Sequence, residues 1–433
     1  MVAAARDEKG SSTGTSAPGS RSSVRPLRRL KGTLPGFGFS GSERRTDGQH
    51  HCLASQAMVL LGQGVSRLTA VQLAEEALSD KSCLASPLCV WCAMTTLACA
   101  GELIAADAHW VRLTSSGRTG LDEVLMLSRA QWSRIQGDLE GARRSLSALL
   151  REDVSPTVRS LALPWLVELL LELEDIPAAT KLTEEYRLDR MIDESGRVAP
   201  MLRGSRAELS MAEGRYQAAI EDYLACGAAL GAAHLGNPAL ARWRSKAALA
   251  LAAVGEIARA KELAVEEWAA ALRWGAPANV GWALYVQARI VNFAAPAALV
   301  AEAIDLLELG GARVELGRAC FENGQWLAAA GQVTMARQRL ELAARHAEWA
   351  GQRRRQQEIE TALERLGAAG AEGKLSKQEA KIAQLAKNGY SNKEIAEKLV
   401  LTVRTVEFHL SSVYRKLGIS GRRELRSSLV VLP

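Results

Sequence analysis

From about residue 52 to residue 366 apolar positions recur three and four apart, and almost nothing alternates in twos, so the spacing predicts helices throughout. The helical text also repeats. A Gly or its stand-in, an apolar residue two on and Ala four to five on recur as Gly101-Glu-Leu-Ile-Ala-Ala106, Gly137-Asp-Leu-Glu-Gly-Ala142, Glu174-Asp-Ile-Pro-Ala-Ala179, Gly214-Arg-Tyr-Gln-Ala-Ala219, Gly255-Glu-Ile-Ala-Arg-Ala260 and Gly331-Gln-Val-Thr-Met-Ala336. The first positions are 36, 37, 40, 41 and 76 residues apart, the last step being twice 38, and degenerate copies are placed near Asn292 to Ala298 and near Gly64. Each unit reads as a helix, a left-handed turn residue, and a second helix whose small Ala positions let it approach its partner. A single pair leaves an apolar face that only the next pair covers, so the units stack into a superhelical solenoid with a concave surface.

That spacing and the Gly-x-apolar-x-x-Ala turn resemble tetratricopeptide repeats, lengthened from the usual period, over roughly 300 residues. Gly367-Ala-Ala-Gly-Ala-Glu-Gly373 then interrupts the period and is expected to be a linker. Residues 374–433 hold four short helical patterns. Ser376 and Glu379 form a capping-box signature ahead of Ile382 and Leu385; Ser391 can cap a second helix carrying Ile395, Ala396 and Leu399; Thr402 caps a third that ends at Leu417 before Gly418; a fourth starts near Ser420 and keeps Leu425, Leu429 and Val430 on one side. On a helical wheel the third pattern puts Val406, Leu410, Val413 and Leu417 together, and Arg404, Phe408, Ser411 and Arg415 opposite them, with Glu407 and Thr405 on the flanks. An outward Phe among arginines and hydroxyls suits the major groove of DNA, where apolar contact with thymine methyls is part of the readout.

Leu375-Ser-Lys-Gln-Glu379, Gly389-Tyr-Ser-Asn-Lys-Glu-Ile-Ala396, Leu399, Thr402, Thr405-Val-Glu-Phe-His-Leu410 and Tyr414-Arg-Lys-Leu-Gly418, followed by Arg422, closely resemble the DNA-binding domain of LuxR-type transcription regulators. The resemblance implies a four-helix helix-turn-helix domain whose third helix reads double-stranded DNA and whose fourth pairs two subunits through Leu425 and Leu429. It implies base reading by Glu407, Phe408 and Ser411, and phosphate contacts by Asn392, Lys393, Thr402, Arg404, Thr405, Arg415 and Lys416. Glu407 stands where many relatives carry Lys; a carboxylate there can accept a hydrogen bond from a cytosine amino group. The Thr-Val-Glu-Phe-His string is similar to the large ATP-binding LuxR subgroup. No Gly-x-x-x-x-Gly-Lys-Ser/Thr loop is present, so the chain is read as a shortened member with no ATP-binding module.

Charge supports this division. Residues 374–433 carry twelve Lys+Arg against five Asp+Glu, or +7; residues 1–50 carry +5; the middle carries −6. Residues 1–50, rich in Gly, Ser, Arg and Pro, are expected to be a disordered basic tail, although Arg21, Arg25, Arg28, Arg29 and Lys31 offer a second reading as nucleic-acid contacts. No long apolar run or secretory signal is seen, so a cytoplasmic bacterial protein without a membrane segment is expected. Cys89 and Cys92, flanked by Cys83 and Cys99, are weighed as a zinc or redox site and read instead as buried packing, Cys89, Cys92 and Cys99 following one helical stripe, with no metal or cofactor expected. His409 is read as structural rather than catalytic. Trp165, Trp243, Trp268, Trp274, Trp282 and Trp326 are read as seam packing in preference to a ligand groove. No nucleophile, base and oxyanion site assemble, so an enzyme is not expected. The sequence thus points to a homodimeric transcription regulator whose helical repeats sense or dock an effector, with RNA polymerase a further partner. The rival is a protein-binding scaffold with a vestigial DNA-binding domain.

Overall fold

The computed structural model describes residues 52–427 apart from 118–119, 152–153, 195, 292–295, 374, 376, 418 and 420. The basic tail and Leu429 therefore lie outside the described residues, as does the core of the degenerate copy near Asn292. Among those described there is no strand. The helices run α1 (Leu53–Gln63), α2 (Arg67–Ala77), α3 (Lys81–Leu84), α4 (Pro87–Ala100), α5 (Leu103–Ser115), α6 (Asp122–Ile135), α7 (Leu139–Arg151), α8 (Pro156–Glu172), α9 (Ile176–Glu185) and α10 (Leu188–Glu194). After a 3-10 turn follow α11 (Ala199–Ala212), α12 (Tyr216–Ala232), α13 (Trp243–Ala253), α14 (Ile257–Trp274), α15 (Pro277–Val291), α16 (Pro296–Leu309), α17 (Arg313–Ala329), α18 (Val333–Trp349) and α19 (Arg353–Gly373). The C-terminal bundle comprises α20 (Lys377–Lys387), α21 (Asn392–Leu399), α22 (Val403–Leu417) and α23 (Arg422–Ser427).

Each repeat motif marks the turn of a helical hairpin: α4/α5, α6/α7, α8/α9, α11/α12, α13/α14 and α17/α18. Gly101, Gly137, Gly214, Gly255 and Gly331 all have positive φ, and so does the stand-in Glu174, at +62°. One residue later the amide donates five residues back, as in Glu102 N to Leu97 O and Asp138 N to Ser133 O, the bond that closes a helix C-terminus over a left-handed residue. The Ala at the sixth motif position is fully buried in every copy: Ala106, Ala142, Ala179, Ala219, Ala260 and Ala336. The apolar residue two after the turn matters less, since Tyr216 and Ile257 stay exposed. Close approach at a missing side chain, rather than a large anchor, thus sets the hairpin geometry.

The solenoid does not stay open. Asn237 Nδ2 donates to Leu61 O at 2.7 Å, Trp274 Nε1 to Cys99 O at 2.9 Å, Gln352 Nε2 to Glu172 O at 2.8 Å, and Arg355 Nη2 to Glu174 Oε1 at 3.0 Å. The partners are 176, 175, 180 and 181 residues apart, so the superhelix returns onto itself after one nearly constant length of chain. Trp274, Ala276, Val314 and Ala350 join the apolar core of the first half across this seam. The expected concave surface is consequently an inner cavity of about 960 Å3.

The glycine-rich stretch expected to break the helix does not do so: α19 continues through Gly373. With Ala flanking the glycines, no Pro intervenes to remove an amide donor, and the cost of Gly alone is about 1 kcal/mol per residue. No helix among the described residues is long and apolar enough to cross a membrane.

Candidate nucleic-acid interface and inner cavity

The C-terminal bundle is built around Ile382, Ala386, Ile395, Ala396, Val406, Leu410 and Leu425, with Val413 also buried. Ser391 caps α21 in a complete capping box: its hydroxyl accepts from Glu394 N, and Glu394 accepts from Ser391 N at 2.7 Å. The Ser-x-x-Glu signature was legible there too. The other one, at Ser376, falls partly outside the described residues, and its Glu379 is buried with Oε1 accepting from Ser412 Oγ at 2.7 Å, which ties α20 to α22. Nothing in the local spacing announces that bond. Val400 turns α21 into α22 with φ +54° while 91% exposed.

Thr402 Oγ1 accepts from Thr405 N at 3.1 Å and starts α22. Val406, Leu410 and Val413 point into the bundle, whereas Arg404, Glu407, Phe408 and Ser411 are all exposed, Phe408 to 74%. Ser411 donates its hydroxyl proton to Glu407 O at 2.9 Å, which leaves its oxygen free to accept from outside. Lys393 is exposed on α21; Thr402 is exposed and Thr405 half-buried. Asn392 is half-buried, its Oδ1 accepting from Arg422 Nη1 at 2.7 Å, so its amide nitrogen is the end left for a phosphate. His409 is half-buried beside the Phe408 ring, with ring centroids 6.0 Å apart. Arg415 and Lys416 lie on α22, but their side chains are outside the described residues. Leu425 does not match its expected role. It is fully buried in the protomer's own core, the one apolar side chain by which the six-residue α23 holds on, and offers no surface to a second subunit.

Residues 373–428, which contain this bundle, match the family described as bacterial regulatory proteins, luxR family. The C-terminal bundle is a LuxR-family domain. Over 51 residues it is 51% identical to the oxygen regulatory protein NreC of Staphylococcus aureus strains JH9 and USA300, an alignment that covers 12% of this chain. The chain spans 24% of the length of those curated relatives. Among solved structures, a Rap protein complexed with competence and sporulation factor aligns with a TM-score of 0.44 and 14% identity, over 72% of this chain and 98% of that one. N-terminal to the LuxR-family domain lies the tetratricopeptide-like coil described above.

The coil's cavity is lined by both signs of charge and by aromatic rings. Arg134 meets Glu172 at 2.9 Å, Lys246 meets Glu208 at 2.6 Å and Arg242 meets Glu315 at 2.6 Å. Burial raises the Glu172 carboxyl and outweighs the pull of Arg134. At Glu315 burial also pushes upward, but Arg242 prevails and holds the group below its usual range. Trp165, Trp243 and Trp282, read from sequence as packing, face this space, while Trp274 is the seam residue. Arg318 lines the same space 5.8 Å from the Trp282 ring, with no ion-pair partner among the described residues.

Proposed function

We propose that the chain is a sequence-specific DNA-binding transcription regulator whose LuxR-family domain lays α22 in the major groove of duplex DNA as a homodimer. The observation that carries this reading is Phe408, held out into solvent at 74% exposure between Arg404 and Ser411. In the groove Phe408 meets thymine methyls, Glu407 accepts from a cytosine amino group, and Ser411 accepts from a base edge. Lys393, Arg404, Thr402, Thr405, Asn392, Arg415 and Lys416 fix the register on phosphates, the part of the interface that supplies salt-dependent affinity. A complete capping box and an intact core favour a working reader over a vestigial one.

The coil's part in this proposal is to hold the controlling ligand. A cavity of about 960 Å3 admits a small molecule or short peptide and is too small for a folded protein. Arg318, 5.8 Å from the Trp282 ring and without an ion pair among the described residues, is the cation proposed to meet an acidic group of the ligand, in competition with the charges of Glu172, Glu315 and Glu322. Such a ligand controls the reader only if it binds two arrangements of the chain with different affinity.

Selection of bound duplexes from a random pool with the full chain tests the DNA reading, followed by titrations of the selected and a scrambled duplex against salt. Phe408→Ala is expected to lower affinity for the selected duplex alone, by about tenfold. Lys393→Ala is expected to weaken both duplexes alike and reduce the salt slope by about one. Equal losses on both duplexes for both changes overturn the assignment of α22. For the coil, an Arg318→Gln chain that drives the selected promoter as the parent does, wherever the parent responds, removes the cavity from control.

A further inference from the structure

Outside both sites, three sulfurs from three separate elements converge at the start of the coil. Cys52 immediately precedes α1, Cys83 lies in α3 and Cys89 in the first turn of α4. Cys52 Sγ is 3.2 Å from Cys89 Sγ and 3.7 Å from Cys83 Sγ, and all three sulfurs lie within 4.8 Å of one another. All are free thiols; Cys83 is buried, and Cys52 and Cys89 are half-buried. The backbones that carry two of them are pinned. Asp80 Oδ1 accepts from Cys83 N at 2.9 Å, and Ser86 Oγ accepts from Cys89 N at 3.5 Å.

Metal–sulfur bonds of about 2.3 Å in a tetrahedral shell put neighbouring sulfurs about 3.8 Å apart. Two of the three separations, 3.2 and 3.7 Å, lie near that value and the third is below 4.8 Å, so side-chain shifts on the order of half an ångström bring the sulfurs around a single ion. No carboxylate or imidazole among the described residues joins the group, so the donor set is purely soft and selects zinc(II) or copper(I) over hard cations. The stripe expected from sequence therefore divides. Cys92 and Cys99 pack in the interior, where burial pushes the Cys99 thiol up to about 12, while Cys89 leaves the stripe to meet Cys52 beside Cys83 of the separate helix α3. Cys52 has no local signature that links it to them, being 37 residues before Cys89.

We propose that Cys52, Cys83 and Cys89 form a three-thiolate site for a soft metal ion, zinc(II) or copper(I), which ties the start of α1 to α3 and α4. On binding, three S–H groups release their protons to solvent as three metal–sulfur bonds form. The site lies at the start of the described coil. It stands independently of the DNA reading.

The full chain, reduced and stripped of metal with a chelator, is titrated anaerobically in two arms, one with zinc(II) and one with copper(I). Retained metal is read by elemental analysis after desalting, and thiol protection against a maleimide by mass spectrometry. One ion per chain is expected in at least one arm, with Cys52, Cys83 and Cys89 protected relative to the metal-free chain and the labelling of the buried Cys226 unchanged. The arm that survives competition from a chelator of its own ion names the metal. Cys52→Ser, chosen because it precedes the first helix and is half-buried, is expected to lose at least about tenfold in affinity, and Cys226→Ser nothing. Three results overturn the proposal: no retained ion in either arm, retention unchanged in Cys52→Ser, or a Cys52–Cys89 disulfide formed in air by a chain that binds neither ion.

Discussion

The coil and the LuxR-family domain stop their helices with the same backbone device and then treat charge in opposite ways. In both, a residue with positive φ is followed by an amide that reaches five residues back: Arg215 N to Ser210 O in the coil, Tyr390 N to Leu385 O and Leu401 N to Ala396 O in the domain. The coil, however, folds its cations inward against carboxylates, as Arg134, Lys246 and Arg242 show, and lets its seam enclose them. The domain directs Lys393, Arg404 and the Phe408 ring outward, with no ion pair to either cation among the described residues. One region spends its polar groups on itself; the other holds them out to solvent.

The contrast breaks most visibly at the seam. Trp274→Ala removes a fully buried ring and the Nε1 bond to Cys99 O, and is expected to destabilise the coil by about 3–5 kcal/mol. The LuxR-family domain has its own core, so calorimetry on the full chain is expected to show the coil's transition moving down while the domain's stays. A joint shift of both transitions would deny the two regions their separate stability.

A second test addresses charge buried without an adequate partner. Glu267 is buried, with Oε1 accepting from Ser245 Oγ at 2.7 Å and no partner at Oε2. Burial pushes its carboxyl up to about 7 from 4.5, against the weaker pull of Ser245, Arg244 and Arg242. The folded chain therefore holds a proton that the unfolded chain loses between those two values, and stability falls as pH rises through this window. The cost is complete above pH 7 and amounts to about 3 kcal/mol. Glu267→Gln is expected to match the parent near pH 4.5 and to exceed it by about that amount at pH 8, as read by denaturant unfolding. A constant difference across the range would mean that the carboxyl is ionised throughout.

The smallest effect sharpens the shared device. Val400 is a β-branched residue in the left-handed region, where an L side chain costs about 1–2 kcal/mol, and it is too exposed to recover that by packing. Val400→Gly is expected to raise the stability of the LuxR-family domain by about 1 kcal/mol, less the entropy that Gly adds to the unfolded chain. No change in the domain's thermal midpoint would show that Val400 is not strained.

What the sequence disclosed follows the range of the physics. The motif alanines and their turn residues were legible because helix crossing and left-handed φ act within six residues, and even Glu174 was recognisable as a glycine's substitute. The outward placing of Arg404, Phe408 and Ser411 on α22 was legible from helical period alone, whereas the Arg415 side chain lies outside the described residues. The seam was not, since Asn237 and Leu61 or Arg355 and Glu174 share no local pattern across more than 170 residues. Leu425 was misjudged for a related reason: periodicity shows that a helix has an apolar side without saying whether that side meets its own chain or another. The role of Glu379 as acceptor for Ser412 was hidden behind a capping signature that explained the same residue locally.

The near-constant return of 175–181 residues also limits how this protein can vary in length. An open array gains or loses a repeat at little cost, because each unit meets only its neighbours. Here an insertion between Glu172 and Asn237 would slide one turn past the next, and donors such as Asn237, Trp274 and Gln352 would face the wrong carbonyls together. The number of repeats is thereby locked, much as teeth on a closed gear must come in whole counts.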